Sequence, residues 1–152
     1  PAAAEAKLKN IRGTIASEAA KKSGGKSPVV FVEATAKELH TCSPDSWAAK
    51  LVELAGGRNA APDARAIRKG SAIAPYGLER ILKAAAAGNI DIYLIQQGTM
   101  NASNMKTLVS RPWYPAIKKI KTAVVPEGEL SRPSLLGLEA GGRRLIKIFY
   151  GE

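Results

Sequence analysis

Three short apolar runs, Pro28–Val32 (PVVFV), Ile90–Ile95 (IDIYLI) and Thr122–Val125 (TAVV), are separated from one another by stretches of helical period. Runs of this length, rich in β-branched residues and bounded by Gly, Pro or polar residues, read as buried strands. Strands that alternate with helices share a sheet through crossover connections, and a crossover makes its two strands parallel. The sequence therefore predicts an α/β fold, a parallel or mostly parallel sheet with helices on both faces.

The helical stretches have starts and stops of their own. Residues 2 to 22 carry Ala4, Leu8, Ile11, Ile15 and Ala19 on one stripe, with Lys21 and Lys22 at the negative end and Gly24-Gly25 as the stop. Ser43-Pro44-Asp45 predicts a helix start, with Ser43 as N-cap, Pro44 at the first helical position and Trp47, Leu51 and Leu54 on the inner face. Residues 58 to 75 read as irregular, Tyr76–Ala87 as a helix burying Leu78, Ile81 and Leu82, and Met105–Ser110 and Pro112–Ile120 as two short helices. After the loop Leu130-Ser131-Arg132-Pro133 a closing helix carries Leu135, Leu138, Leu145 and Phe149 on one stripe. Gly141 and Gly142 sit inside it. Each costs about 1 kcal/mol relative to Ala, which is tolerable where the helix backbone packs very close to something else.

With 152 residues the chain has the size of one domain with a real core. A net charge of +10 permits anionic partners, but the cations are scattered as Lys7-Lys9-Arg12, Lys21-Lys22-Lys26, Arg65-Arg68-Lys69, Lys118-Lys119-Lys121 and Arg143-Arg144-Lys147. Solvated faces and helix C-termini account for most of them. Aromatic content of 5% is thin for a nucleic-acid stacking surface. The lone Cys42 forms no internal disulfide, which leaves the compartment open. No run has the length of a transmembrane helix, and no nucleophile–base pair, Gly-rich phosphate loop or metal spacing argues for catalysis. The chain starts at Pro1 with no legible signal peptide and is expected to be a processed or excised segment.

Three segments in order carry a resemblance. The first is Ser46-Trp47…Leu51-Val52-Glu53-Leu54-Ala55-Gly56-Gly57-Arg58-Asn59. The second is Tyr76-Gly77-Leu78-Glu79-Arg80-Ile81-Leu82 followed by Asp91-Ile92-Tyr93-Leu94-Ile95. The third is Trp113…Pro115-Ala116-Ile117-Lys118…Val124-Val125-Pro126…Ser131-Arg132-Pro133…Gly137-Leu138-Glu139. Together, from about Val29 to the end, they resemble the C-terminal lobe of the extracytoplasmic substrate-binding proteins that serve ABC importers of ferric siderophores, haem and cobalamin. The resemblance implies a three-layer α/β lobe over residues 26–152, with residues 1–25 as part of a long interlobe helix and the N-terminal lobe absent. It implies a binding protein rather than an enzyme, with no cofactor and no metal site of its own. It would be periplasmic, or lipid-anchored at the outer face of the cytoplasmic membrane. Its partners would be an ABC permease of that membrane and an iron chelate, haem or corrinoid ligand, not nucleic acid.

Residue by residue, the resemblance makes Glu79 a permease-docking carboxylate, an exposed anion that meets arginines. The alternative is an acidic residue placed in a first turn for the helix dipole. The segment Glu33–Ser46 would line the interlobe cleft with Thr35, His40, Thr41 and Ser43, and the N-terminus of the Ser43 helix would favour an anionic group. Gln96, Gln97, Thr99 and Asn101 after the second strand, and Arg132 after the third, would grip carboxylates or chelate oxygens. Turn chemistry at Gly98 and Asn101, and tethering of the chain by Arg132 before Pro133, explain the same residues equally well. Tyr76 would add an aromatic wall, whereas Trp113 reads as core. His40 and Cys42 have the chemistry to ligate haem iron or cobalt, but a surface-loop His and a small half-buried Cys are the simpler reading. Ile73-Ala74-Pro75-Tyr76 lacks the tryptophan of a cobalamin receptor, and Leu130-Ser131 replaces its aromatic–acidic pair. An iron chelate or haem is therefore the expected ligand class. A basic nucleic-acid-associated α/β domain is the alternative function, and an enzyme of doubly wound class a third, resting on fold analogy alone.

Overall fold

The structure, a computed structural model, describes residues 1–151. Its first half contains α1 (Ala2–Ser23), β1 (Val29–Glu33), β2 (Thr41–Cys42), α2 (Trp47–Leu54), β3 (Arg58–Asn59) and β4 (Ile73–Ala74). The second half contains α3 (Leu78–Ala86), β5 (Ile92–Gln97), α4 (Met105–Val109), β6 (Lys121–Pro126), α5 (Glu127–Leu130) and α6 (Leu135–Tyr150). The three predicted strands, β1, β5 and β6, form a parallel sheet with β3 in the order β3-β1-β5-β6. Val30 lies opposite Ile92 and Glu33 opposite Ile95, while β5 pairs with β6 from Ile92–Lys121 to Gln97–Pro126.

Side-chain alternation along the strands divides the core between the two faces of the sheet. Val30, Val32, Ile92, Leu94 and Val125 pack with Ile15 and Ala19 of α1, Leu51 and Val52 of α2, and Leu138, Leu145 and Ile146 of α6. Phe31, Tyr93 and Ile95 pack on the other face with Ile81 of α3, Leu108 of α4 and Ile117. Burying each of the large apolar side chains contributes roughly 1.5–3 kcal/mol, and these two clusters fix a three-layer α/β sandwich. α1 packs on it from Leu8 onward, since residues 1–7 are exposed, Ala4 of the predicted stripe among them.

α6 comes close enough to α5 to explain its glycines. A Cβ at Gly141 would overlap the carbonyl oxygen of Glu129, and one at Gly137 would stand 2.7 Å from that of Gly128. On its other side a Cβ at Gly142 would overlap Ile15 of α1. The expected close packing is thus realised at both of the glycines singled out in the sequence.

Four local expectations change. Residues 58–75 are not wholly irregular: β3 joins β1 in parallel, and β4 pairs antiparallel with β2. β5 runs on through Gln96 and Gln97, so the loop after it begins at Gly98. The predicted helix Pro112–Ile120 shrinks to a 3₁₀ turn at Tyr114–Ala116, because Pro115 lacks the N–H that a continuing helix requires. Ser43 does not cap α2. Its N–H donates to the Ala72 carbonyl (2.8 Å), which holds it in line with β2, and the cap passes to Ser46, whose hydroxyl accepts from the Ala49 N–H at 3.2 Å. Replacing Ser46 by Ala is expected to lower unfolding stability by about 1 kcal/mol, read by urea denaturation; an unchanged midpoint would return the cap to Ser43.

Candidate functional site

Ligands of open parallel sheets bind beyond the carboxyl ends of the strands. Here that edge carries the loop after β1, the loop after β5, and α5 with the turn that leads into α6.

The first loop closes on itself. Ala34 and Thr35 both donate backbone N–H groups to the His40 carbonyl, at 2.9 and 3.3 Å. Thr35 and His40 also meet through their side chains, with Oγ1 3.2 Å from Nδ1. The Thr35 hydroxyl donates its single proton to the Lys37 carbonyl (3.0 Å), so toward the ring it accepts. The other ring nitrogen of His40, Nε2, stands 3.7 Å from a Glu38 carboxylate oxygen. Glu38 and Leu39 hold positive φ angles of 57° and 46° to make this turn. Such angles cost about 1–2 kcal/mol per non-glycine residue, and burial of Leu39 (4% exposed) in the second core offsets part of it.

The predicted residues separate into those at the surface and those beneath it. Thr41 and Ser43 are interior, at 2% and 4% exposure, and the Thr41 hydroxyl donates to the Val32 carbonyl at 2.7 Å. Gln96 is likewise buried and accepts from the Ser131 hydroxyl, which ties β5 to the turn after α5. Gln97 donates to the Ser103 carbonyl (3.2 Å). Asn101, 3% exposed, closes the loop tip through paired backbone bonds with Gly98 at 2.9 and 3.1 Å. Thr99, Met100 and Arg132 are exposed. Tyr76 is half-buried, 5.6 Å from the Phe31 ring, with the Arg80 guanidinium over its outer face at 4.0 Å. Glu79 is exposed in the first turn of α3.

Beneath the edge lies a cluster the sequence reading missed. Glu33, the last residue of β1, is fully buried. Its carboxylate receives both arms of the Arg111 guanidinium, the Tyr93 hydroxyl at 2.6 Å and the Asn101 amide at 2.9 Å. Arg111 also donates to the Ser103 hydroxyl (2.8 Å) and lies over the Trp113 ring at 5.4 Å. Burial pushes the Glu33 carboxyl up, but the bonds from Arg111, Tyr93 and Asn101 outweigh it and hold the group below the ordinary carboxylate range. Burial and the neighbouring carboxylate push the Tyr93 phenol well above its usual value. Two loops, the one after β5 and the one containing Arg111, thus converge on the end of β1. Cys42 is buried too, and its thiol is pushed up to about 12 by desolvation, which leaves it unreactive.

Among the described residues no group of three or more His, Cys, Asp or Glu could hold a metal ion, and no helix is long and apolar enough to cross a membrane. A hollow of about 340 Å³ lies among α1, α2 and α6, lined by Arg12, Trp47, Leu51, Leu54 and Leu138. None of the predicted ligand residues borders it.

This fold, a parallel sheet with its carboxyl edge exposed and α1 leading into it, is that of one part of the periplasmic binding proteins. An ABC transporter substrate-binding protein from Listeria monocytogenes superposes with a TM-score of 0.71 at 18% identity, over 98% of this chain and 57% of that one. A periplasmic vitamin B12 binding protein of Vibrio cholerae gives 0.63 at 14% identity, over 95% and 50%. A siderophore periplasmic binding protein from Thermobifida fusca gives 0.67 at 10% identity, over 97% and 54%. The chain spans about half the length of these structures. No family model and no curated protein matches it by sequence.

Proposed function

We propose that this chain is the C-terminal lobe of an extracytoplasmic solute-binding protein of an ABC importer, a binding protein and not an enzyme. Residues 1–25 contribute to the interlobe helix and residues 26–152 form the lobe. The observation that carries the reading is the fold match across nearly all of this chain to about half of each receptor. The first turns of α1, which stand clear of the core, suit a helix that continues toward a second lobe.

In this reading the ligand meets the surface groups of the carboxyl edge: the Thr35–His40 turn, the Thr99–Met100 tip and Arg132. Met100 is 64% exposed and Leu136 84%. Exposed apolar side chains and a guanidinium on the segments of one sheet edge suit a ligand with an apolar body and peripheral carboxylates or chelate oxygens, hence an iron chelate or haem. Thr41, Ser43, Gln96 and Asn101 serve this wall from below, and Gln97 braces the loop behind the tip. Tryptophan fluorescence titration with ferric siderophores, haem and cobalamin tests the assignment. An intact two-lobed receptor is expected to saturate with one of the first two. Micromolar binding by this chain alone would contradict the need for a second lobe.

Glu79 offers its carboxylate to arginines of the permease. A charge-assisted hydrogen bond of this kind contributes about 1.5–3 kcal/mol. Glu79→Gln is therefore expected to weaken receptor–permease binding at least about tenfold. Fold stability should stay within about 0.5 kcal/mol, as for other exposed substitutions. Unchanged affinity in a titration against permease in nanodiscs would leave Glu79 as a helix-dipole residue.

A further inference from the structure

The segment between β3 and β4 folds back on itself. The Ile67 N–H donates to the Ile73 carbonyl (3.0 Å) and the Ser71 N–H to the Arg68 carbonyl (2.9 Å), with Gly70 at φ 82° closing the turn. At its base Ala61, Ala64 and Ala74 form a small core against Tyr76, so the tip is held in place. That tip presents Arg65, Arg68 and Lys69 to solvent, with Ile67 52% exposed among them. The segment's one carboxylate, Asp63, is taken by Arg80 of α3. Among the described residues the three tip cations make no ion pair.

We propose that this tip is a contact surface for anionic phospholipid. An aliphatic side chain set among cations enters the headgroup layer while the cations meet lipid phosphates. The idea rests on the reading above, in that a receptor serving a permease works beside a membrane and offers that permease Glu79. Charge selects lipid over the permease. A permease surface that attracts Glu79 is cationic, and it would repel the tip, which the Asp63–Arg80 pair fastens to the same helix start. Each basic residue near an anionic bilayer is worth about fivefold in partitioning, so the three together give about 100-fold.

The test is co-sedimentation of the chain with phosphatidylglycerol–phosphatidylcholine vesicles, compared with phosphatidylcholine alone. Arg65→Gln/Arg68→Gln/Lys69→Gln is expected to lose about 100-fold in partitioning. Ile67→Ser should lose severalfold at constant charge. A control with the same loss of charge elsewhere, Lys7→Gln/Lys9→Gln/Lys118→Gln, should lose far less. Equal losses in the two triple variants would reduce the effect to net charge and overturn the proposal, as would failure of the chain to bind the anionic vesicles. If the tip variant instead loses retention on double-stranded DNA while vesicles hold both variants equally, the tip serves nucleic acid and the proposal falls. The assay uses neither solute nor permease, so its outcome is independent of the solute titration.

Discussion

Arg111→Met is expected to destabilise the chain by about 3–5 kcal/mol, the cost of leaving a buried charge without its partner. Glu33 is fully buried and Arg111 nearly so, with 14% of its side chain exposed, and both guanidinium arms are committed to the carboxylate. The companion variant Glu33→Met/Arg111→Met should recover most of that loss, because an apolar pair of similar volume replaces a desolvated ion pair at little net cost. Urea denaturation of the two variants decides the matter. A loss below about 1 kcal/mol in the single variant would mean that water reaches Glu33 after all.

The same pair predicts an acid limit. The folded pKa of Glu33 is depressed, so its contribution is complete above the unfolded value of about 4.3 and is lost as pH falls through the folded value. Acid unfolding of the native chain should therefore steepen below about pH 4. In the double Met variant this component should be missing. Because Asn101 and Ser103 hang on the pair, hydrogen exchange in residues 98–104 should rise in Arg111→Met more than the global stability change accounts for.

The sheet was legible because β1 and β5 are buried on both faces and β6 is partly so, and packing of that kind writes mostly apolar runs into the sequence. β2, β3 and β4 were not, since two-residue strands have no period to read. Glu33 was half legible. Alternation along β1 puts it on the same face as Phe31, and an acidic residue there demands a partner. Nothing local selects Arg111 from 23 cations, because the pairing is made across 78 residues of chain by the fold. For the candidate site, residue type and loop position put forward Thr35 and His40, which are half-buried in one turn, and Arg132, which is exposed. They did not distinguish donors facing outward from donors spent on the scaffold. Thr41 and Gln96 have the same polar chemistry as Thr35 and Gln97, and only the packing of neighbouring segments decides which of them solvent reaches.

Gly141 offers the most demanding check on how the closing helix is seated. Alanine in a helix interior is worth about 1 kcal/mol more than glycine, so Gly141→Ala would stabilise a helix packed at ordinary distance. Here the added methyl would overlap the carbonyl oxygen of Glu129 and approach Leu51 Cδ2 to 2.9 Å. A carbonyl fixed in α5 has no rotamer to escape through, so α6 must lift from α5 as a whole. Overpacking of this kind costs about 1–3 kcal/mol, occasionally more. The net change should therefore be destabilising, by up to about 2 kcal/mol after the propensity gain. Two further substitutions separate the terms. Gly13→Ala, where a Cβ meets nothing within 4 Å, should stabilise by up to about 1 kcal/mol. Gly142→Ala presses on the Ile15 side chain, a neighbour less rigid than a helix backbone, so its cost should fall between the two and appear as faster hydrogen exchange in α1. Thermal unfolding that ranks the three in the order Gly13, Gly142, Gly141 would establish that α6 rests directly on the backbone of α5. That backbone leads into the Ser131–Arg132 turn, so lifting α6 in Gly141→Ala should also loosen the Ser131–Gln96 tie at the edge of the sheet. A Gly141→Ala protein as stable as Gly13→Ala would refute this seating of the helix.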